Sequence, residues 1–97
     1  MRTVTFKVGI ADFEGGIEIG IFGKVNGAEV PLTGRGVKGN VSGVSKHYDI
    51  SLSAPKHEGT NGYVCYVNAA QCAGSCEVTC VADDGLSVFM QIVKDVV

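Results

Sequence analysis

The 97 residues carry a net charge of −2, with 19% charged residues, 45% apolar residues and fourteen glycines. A chain of this length forms one domain, 1–97, with a limited core. Its charge balance offers no footprint for nucleic acid, and no apolar run is long enough to cross a bilayer, so neither nucleic-acid binding nor membrane insertion is expected.

Residues 3–10 alternate, with Val4, Phe6, Val8 and Ile10 on one face and Thr3, Thr5, Lys7 and Gly9 on the other. That is the pattern of a half-buried strand. Residues 11–16 read as a turn. Its carboxylates, Asp12 and Glu14, supply too few oxygens for a calcium site. Residues 17–25 form the next strand. Asn26-Gly27 after it is the strongest two-residue hairpin signal. Around that turn Val25 meets Ala28, Lys24 meets Glu29, Gly23 meets Val30, Phe22 meets Pro31 and Ile21 meets Leu32. Pro31 cannot donate to a ladder, so this strand is placed at an edge.

Residues 33–43 read as loop, with glycines at 34, 36, 39 and 43. Gly34-Arg35-Gly36-Val37-Lys38-Gly39 fits G-x-G-x-x-G literally, but no helix follows to face a pyrophosphate, so no dinucleotide site is inferred. Residues 44–53 alternate again, placing His47, Asp49 and Ser51 on one outward side. Neighbours two apart on a strand lie ~7 Å apart, and no nucleophile elbow accompanies them. They read as a polar face in water, and no residue is assigned as catalytic. Residues 54–62 read as a long exposed loop, where binding usually sits.

From Tyr63 onward the pattern is strongest. Tyr63, Cys65, Val67 and Ala69 alternate with Val64, Tyr66 and Asn68. A loop over 70–75 then sets Cys65 opposite Cys80 and Val67 opposite Val78. Asp83-Asp84-Gly85 reads as a three-residue hairpin loop with Gly85 in the left-handed position. That turn pairs Ala82 with Leu86, Cys80 with Val88, Val78 with Met90 and Cys76 with Ile92. A helix from Leu86 is the competing reading, disfavoured by Val88, Ile92, Val93, Val96 and Val97.

The spacing C-x6-C-x3-C-x3-C fits no zinc or iron–sulfur pattern, and no His lies nearby; no metal or other cofactor is assigned. Four cysteines in a small chain suggest disulfides, here Cys65 with Cys80 and Cys72 with Cys76. If they form, the protein belongs outside the cell or on a virion; otherwise it is cytoplasmic. The strand pattern begins by Thr3 with no visible leader.

About seven strands with short turns and no convincing helix predict an all-β fold, an antiparallel β-sandwich or small barrel. Two hairpins are expected to face each other, through Ile17, Ile19, Ile21, Val30 and Leu32 against Val67, Val78, Val88 and Met90. Phe22, Val64, Tyr66, Val81 and Phe89 then point outward, an apolar surface suited to homo-oligomerisation. The expected function is a non-catalytic structural or assembly subunit of a virion, filament or surface component. The alternative is a monomeric secreted module that binds carbohydrate or protein with the 33–43 and 54–62 loops.

Overall fold

The fold is a small β-sandwich, seen in a computed structural model that describes residues 2–11, 14–38, 47–73 and 77–93. The strands are β1 (Arg2–Ala11), β2 (Glu14–Val25), β3 (Ala28–Lys38), β4 (His47–Lys56), β5 (Thr60–Ala73), β6 (Glu77–Ala82) and β7 (Val88–Val93). They form a three-stranded sheet, β4-β1-β6, and a four-stranded sheet, β3-β2-β5-β7. All pairings are antiparallel except β5 with β7, which run parallel.

The alternation that defines each strand also decides its buried face. Val4, Phe6, Val8 and Ile10 of β1 all face inward and are fully buried. Leu52 and Ala54 of β4 and Val78, Cys80 and Ala82 of β6 extend that face on either side. Opposite lie Ile17, Ile19 and Ile21 of β2 with Tyr63, Cys65, Val67 and Ala69 of β5. Leu32, Val37, Ile50, Leu86, Val88 and Met90 pack around the rim of this core. The Phe6 and Tyr63 rings meet edge to face at 4.8 Å, joining the two sheets at the centre.

The Asn26-Gly27 turn forms as expected. Both residues have positive φ, 53° and 82°, as a two-residue type I′ turn requires. Val25 pairs with Ala28, Lys24 with Glu29, Gly23 with Val30 and Phe22 with Pro31. Beyond Pro31 the register shifts, and Ile21 pairs with Thr33 instead of Leu32. Leu32 is the extra residue of a bulge, and its side chain fills the space beside Gly23. A Cβ at Gly27 would touch nothing, so Gly27→Val tests backbone conformation alone. It should lower stability by about 1–2 kcal/mol, with Gly27→Asn costing less. An unchanged urea midpoint for the Val variant would show that the turn does not hold this geometry.

Four expectations are corrected. Residues 33–38 are not loop: β3 continues to Lys38 as an edge strand paired with β2 from Gly16 to Val25. Glycine content misleads here because Gly34 answers a packing need; a Cβ there would lie 2.9 Å from the Ile19 carbonyl oxygen. Residues 39–43 lie outside the described residues. The 54–62 loop is also mostly strand, since β4 runs to Lys56 and β5 starts at Thr60. A tight turn joins them, closed by the Thr60 N–H and hydroxyl donating to the His57 carbonyl.

The third correction is that β5 and β6 do not pair; they belong to opposite sheets. The fourth concerns 83–85, which is not a hairpin. Gly85 is left-handed, φ 79°, as expected, but the chain crosses from one sheet to the other. Ala82 therefore does not pair with Leu86, nor Cys80 with Val88, nor Val78 with Met90. Asp83 N–H donates to the Thr5 carbonyl and Thr5 N–H returns a bond to the Asp83 carboxylate. These bonds hold the crossing to β1 and leave β7 to join β5. No helix replaces the strand after Leu86.

Candidate functional site

Three places bring chemistry-bearing side chains together. The first is the crossing at Asp84. One Asp84 carboxylate oxygen, Oδ2, accepts from the Tyr63 hydroxyl at 2.5 Å and from Lys56 Nζ at 2.8 Å. The other accepts from Leu86 N–H at 3.0 Å, an Asx-type turn that starts the run into β7. Tyr63 is fully buried. Burial and the bond to Asp84 push its phenol well above the ordinary tyrosine range. For Asp84, burial opposes the charge, yet the bonds from Lys56, Tyr63 and Leu86 outweigh it and hold the carboxyl below its usual range. The Lys56 ammonium and the Tyr63 hydroxyl thus share one carboxylate oxygen of Asp84. Beside it opens a recess of about 520 Å3 lined by Arg2, Lys56, His57, Glu58, Gly59 and Thr60.

The second place is the sulfur pair. Cys65 and Cys80 stand as buried thiols, hydrogen-bonded to one another. The sequence places them opposite each other on paired strands. In the fold they face each other from different sheets, because both lie on inward positions of their strands. The other expected pair, Cys72 with Cys76, falls outside the described side chains.

The third place is the outer face of the four-stranded sheet. Pro31, Phe22, Val64 and Phe89 form one lateral row across β3, β2, β5 and β7. Phe22 meets Tyr66 edge to face at 5.3 Å, and the Tyr66 hydroxyl donates to Glu29 at 2.5 Å. That bond, ahead of desolvation, raises the Tyr66 phenol above its usual range. Phe22 and Tyr66 are half-buried and Val64 is buried, whereas Phe89 stays 68% exposed.

The expected outward set of five is thus divided. Val81 is 64% exposed but lies on the other sheet, paired with Lys7 of β1. Sequence reasoning joined it to Phe89 through a hairpin that does not form. It also missed Ile92 and Val93, 44% and 48% exposed on β7. The absence of any charge or proline from Val88 to Val93 was the available signal.

Asp49 and Ser51 lie exposed on the outer face of the three-stranded sheet, beside Lys7 and Thr79; the His47 side chain falls outside those described. Gly34 and Gly36 sit within an edge strand, not in a loop above a helix. Among the described residues, no three His, Cys, Asp or Glu side chains gather to hold a metal. No helix there is long and apolar enough to cross a membrane.

No protein-family model, curated protein or solved structure matches this chain.

Proposed function

We propose that this protein is a non-catalytic assembly subunit, of the virion, filament or surface-component kind, that associates with copies of itself through the outer face of its four-stranded sheet. The carrying observation is the apolar row Pro31–Phe22–Val64–Phe89, which ends in a phenylalanine 68% exposed. Scattered apolar residues on a surface are ordinary. A row that crosses every strand of a sheet, with Val93 exposed further along β7, is the contiguous kind that marks interaction. The opposite face, with Thr3, Thr5, Lys7, Asp49, Ser51 and Ser53 outward, is mainly polar, with Val81 and Pro55 as its exposed apolar residues. The asymmetry supports association through one face.

Light scattering across a concentration series tests the reading. The wild-type protein should exceed monomer mass at high concentration. Phe89→Lys should return it to monomer with thermal stability changed by no more than ~0.5 kcal/mol, as expected for an exposed site. A wild-type monomer at every concentration would refute the proposal and favour a monomeric binding module, with the Arg2–Thr60 recess as one concavity on its surface.

A further inference from the structure

We propose that two copies of the chain join by antiparallel pairing of β7 with β7, about a two-fold axis at Gln91, so that their four-stranded sheets become one continuous sheet. The inference rests on the assembly reading above and specifies its contact.

The argument starts from the backbone. β7 is the last strand of its sheet, and among the described residues no strand pairs with its far side. Tyr63 N–H donates to the Ser87 carbonyl, and Tyr63 pairs with Val88 in parallel register. In a strand, the amide and carbonyl of one residue point to the same side, and the side alternates. The groups of Phe89 and Gln91 therefore face β5. Those of Val88, Met90 and Ile92 face the open edge and are available to a partner.

Sheet edges ordinarily carry features that block such pairing: charge, proline or a bulge. The opposite edge of this sheet, β3, has Pro31, the bulge at Leu32, Arg35 and Lys38. In the other sheet the β4 edge has Asp49, Pro55 and Lys56. β7 reads Val-Phe-Met-Gln-Ile-Val and has none of these.

The side chains then select the occupant. An edge without charge gives an acidic or basic peptide nothing to pair with, while a second β7 brings no like charge against it. Opposed residues must share a face, so only two registers keep most of the strand paired. Centred on Met90, the pairing sets Phe89 against Gln91 and leaves Val93 without a partner. Centred on Gln91, it sets Phe89 against Val93, Met90 against Ile92 and Gln91 against its own copy. All three exposed apolar residues of β7, Phe89, Ile92 and Val93, then meet apolar neighbours. The two Gln91 amides, each both donor and acceptor, can bond to each other. Met90 and Ile92 of the two copies form the hydrogen-bonded pairs, which matches the groups that face the open edge. A pair of six-residue strands is small beside the ~800 Å2 per partner of a standard interface. The contact is accordingly weak for an isolated dimer and is strengthened where copies are concentrated.

Cross-linking tests the register. In a non-hydrogen-bonded antiparallel pair the Cα atoms lie ~4.5 Å apart, within reach of a disulfide. Gln91→Cys should give a cross-linked dimer as its main product on mild oxidation. Val93→Cys, whose copy lies well away across the axis, should give no more dimer than the wild type. As a second measurement on the unmodified chain, hydrogen exchange at Met90 and Ile92 should slow as protein concentration rises. Oligomers in light scattering, with neither selective cross-linking at 91 nor concentration-dependent protection at these two amides, would overturn the β7 pairing and leave the assembly reading standing. A monomer at every concentration would overturn both.

Discussion

Replacing Asp84 with Ala should cost about 3 kcal/mol, although the residue lies in a turn. The loss has identifiable parts. The Tyr63 hydroxyl is buried and keeps no acceptor once the carboxylate is gone, a penalty of ~1–3 kcal/mol. The Leu86 N–H loses the cap that starts the run into β7. Lys56 loses its partner but remains 19% exposed, so water can take over part of that bond, and the cost stays below the upper range for a fully buried pair. The urea midpoint should fall with little change in slope. Tyr63→Phe should lose less, and the double variant less than the sum, because both changes break one bond. A midpoint unchanged in Asp84→Ala would show that the crossing is held by other contacts.

The same cluster sets a pH dependence at both ends. The Asp84 carboxyl is depressed in the fold. Its contribution is therefore complete above the unfolded value, about pH 4, and is lost as pH falls through the lower folded value. Tyr63 is shifted the other way, raised first by burial and then by Asp84. Its contribution is complete below about pH 10 and is lost as pH rises from there through the raised folded value. Denaturation midpoints should decline on both limbs for the wild type, and Asp84→Ala should flatten the acid limb.

Oxidation should raise stability by a similar amount. Treatment of the folded protein with oxidised glutathione is expected to convert the Cys65 and Cys80 thiols into one disulfide, releasing two molecules of reduced glutathione. The hydrogen bond to Cys80, together with burial, pushes the Cys65 thiol up, so Cys80 is the sulfur that attacks oxidised glutathione, releasing one reduced glutathione, and Cys65 then displaces the second from the mixed disulfide on Cys80. The bridge would close a loop of about fifteen residues, for which chain entropy gives ~3 kcal/mol. Because the two residues belong to different sheets, the bond ties the two layers and should raise the unfolding temperature of the whole domain. Peptide mapping after alkylation checks the linkage. A Cys65 that remains fully alkylatable on unfolding after such treatment would refute it.

Which parts of this fold can be read from the chain depends on how local their causes are. Asn26-Gly27 is legible because its φ angles are decided by two adjacent residues. The inward faces are legible because alternation is a property of each strand alone: Val4, Phe6, Val8 and Ile10 point inward whatever pairs beside them. Pairing partners are not legible in the same way. Asp83-Asp84-Gly85 has the composition of a hairpin loop, and Gly85 adopts the hairpin-like conformation. Its destination is set by bonds to Thr5, Lys56 and Tyr63, all distant in sequence. The sulfur contact was anticipated through the wrong geometry, since inward parity on Cys65 and Cys80 suits a cross-strand pair and a cross-sheet pair equally. Val81 and Phe89 show the cost of that ambiguity. Each points outward as expected, but a crossing in place of a hairpin puts them on opposite surfaces of the molecule.

The strand order has a consequence for how the chain reaches this state. Of the five strand pairings, only β2 with β3 joins consecutive strands. β1, the middle strand of its sheet, waits for β4 and β6, and β7 reaches back to β5. Loops must close before these contacts contribute, which places folding on the millisecond-to-second scale of nonlocal β proteins. During synthesis the β2–β3 hairpin is the one pairing that can form early. Val4, Phe6, Val8 and Ile10 are made before the strands that flank β1 and wait until β4 and β6 have followed, so the newborn chain needs long protection at β1.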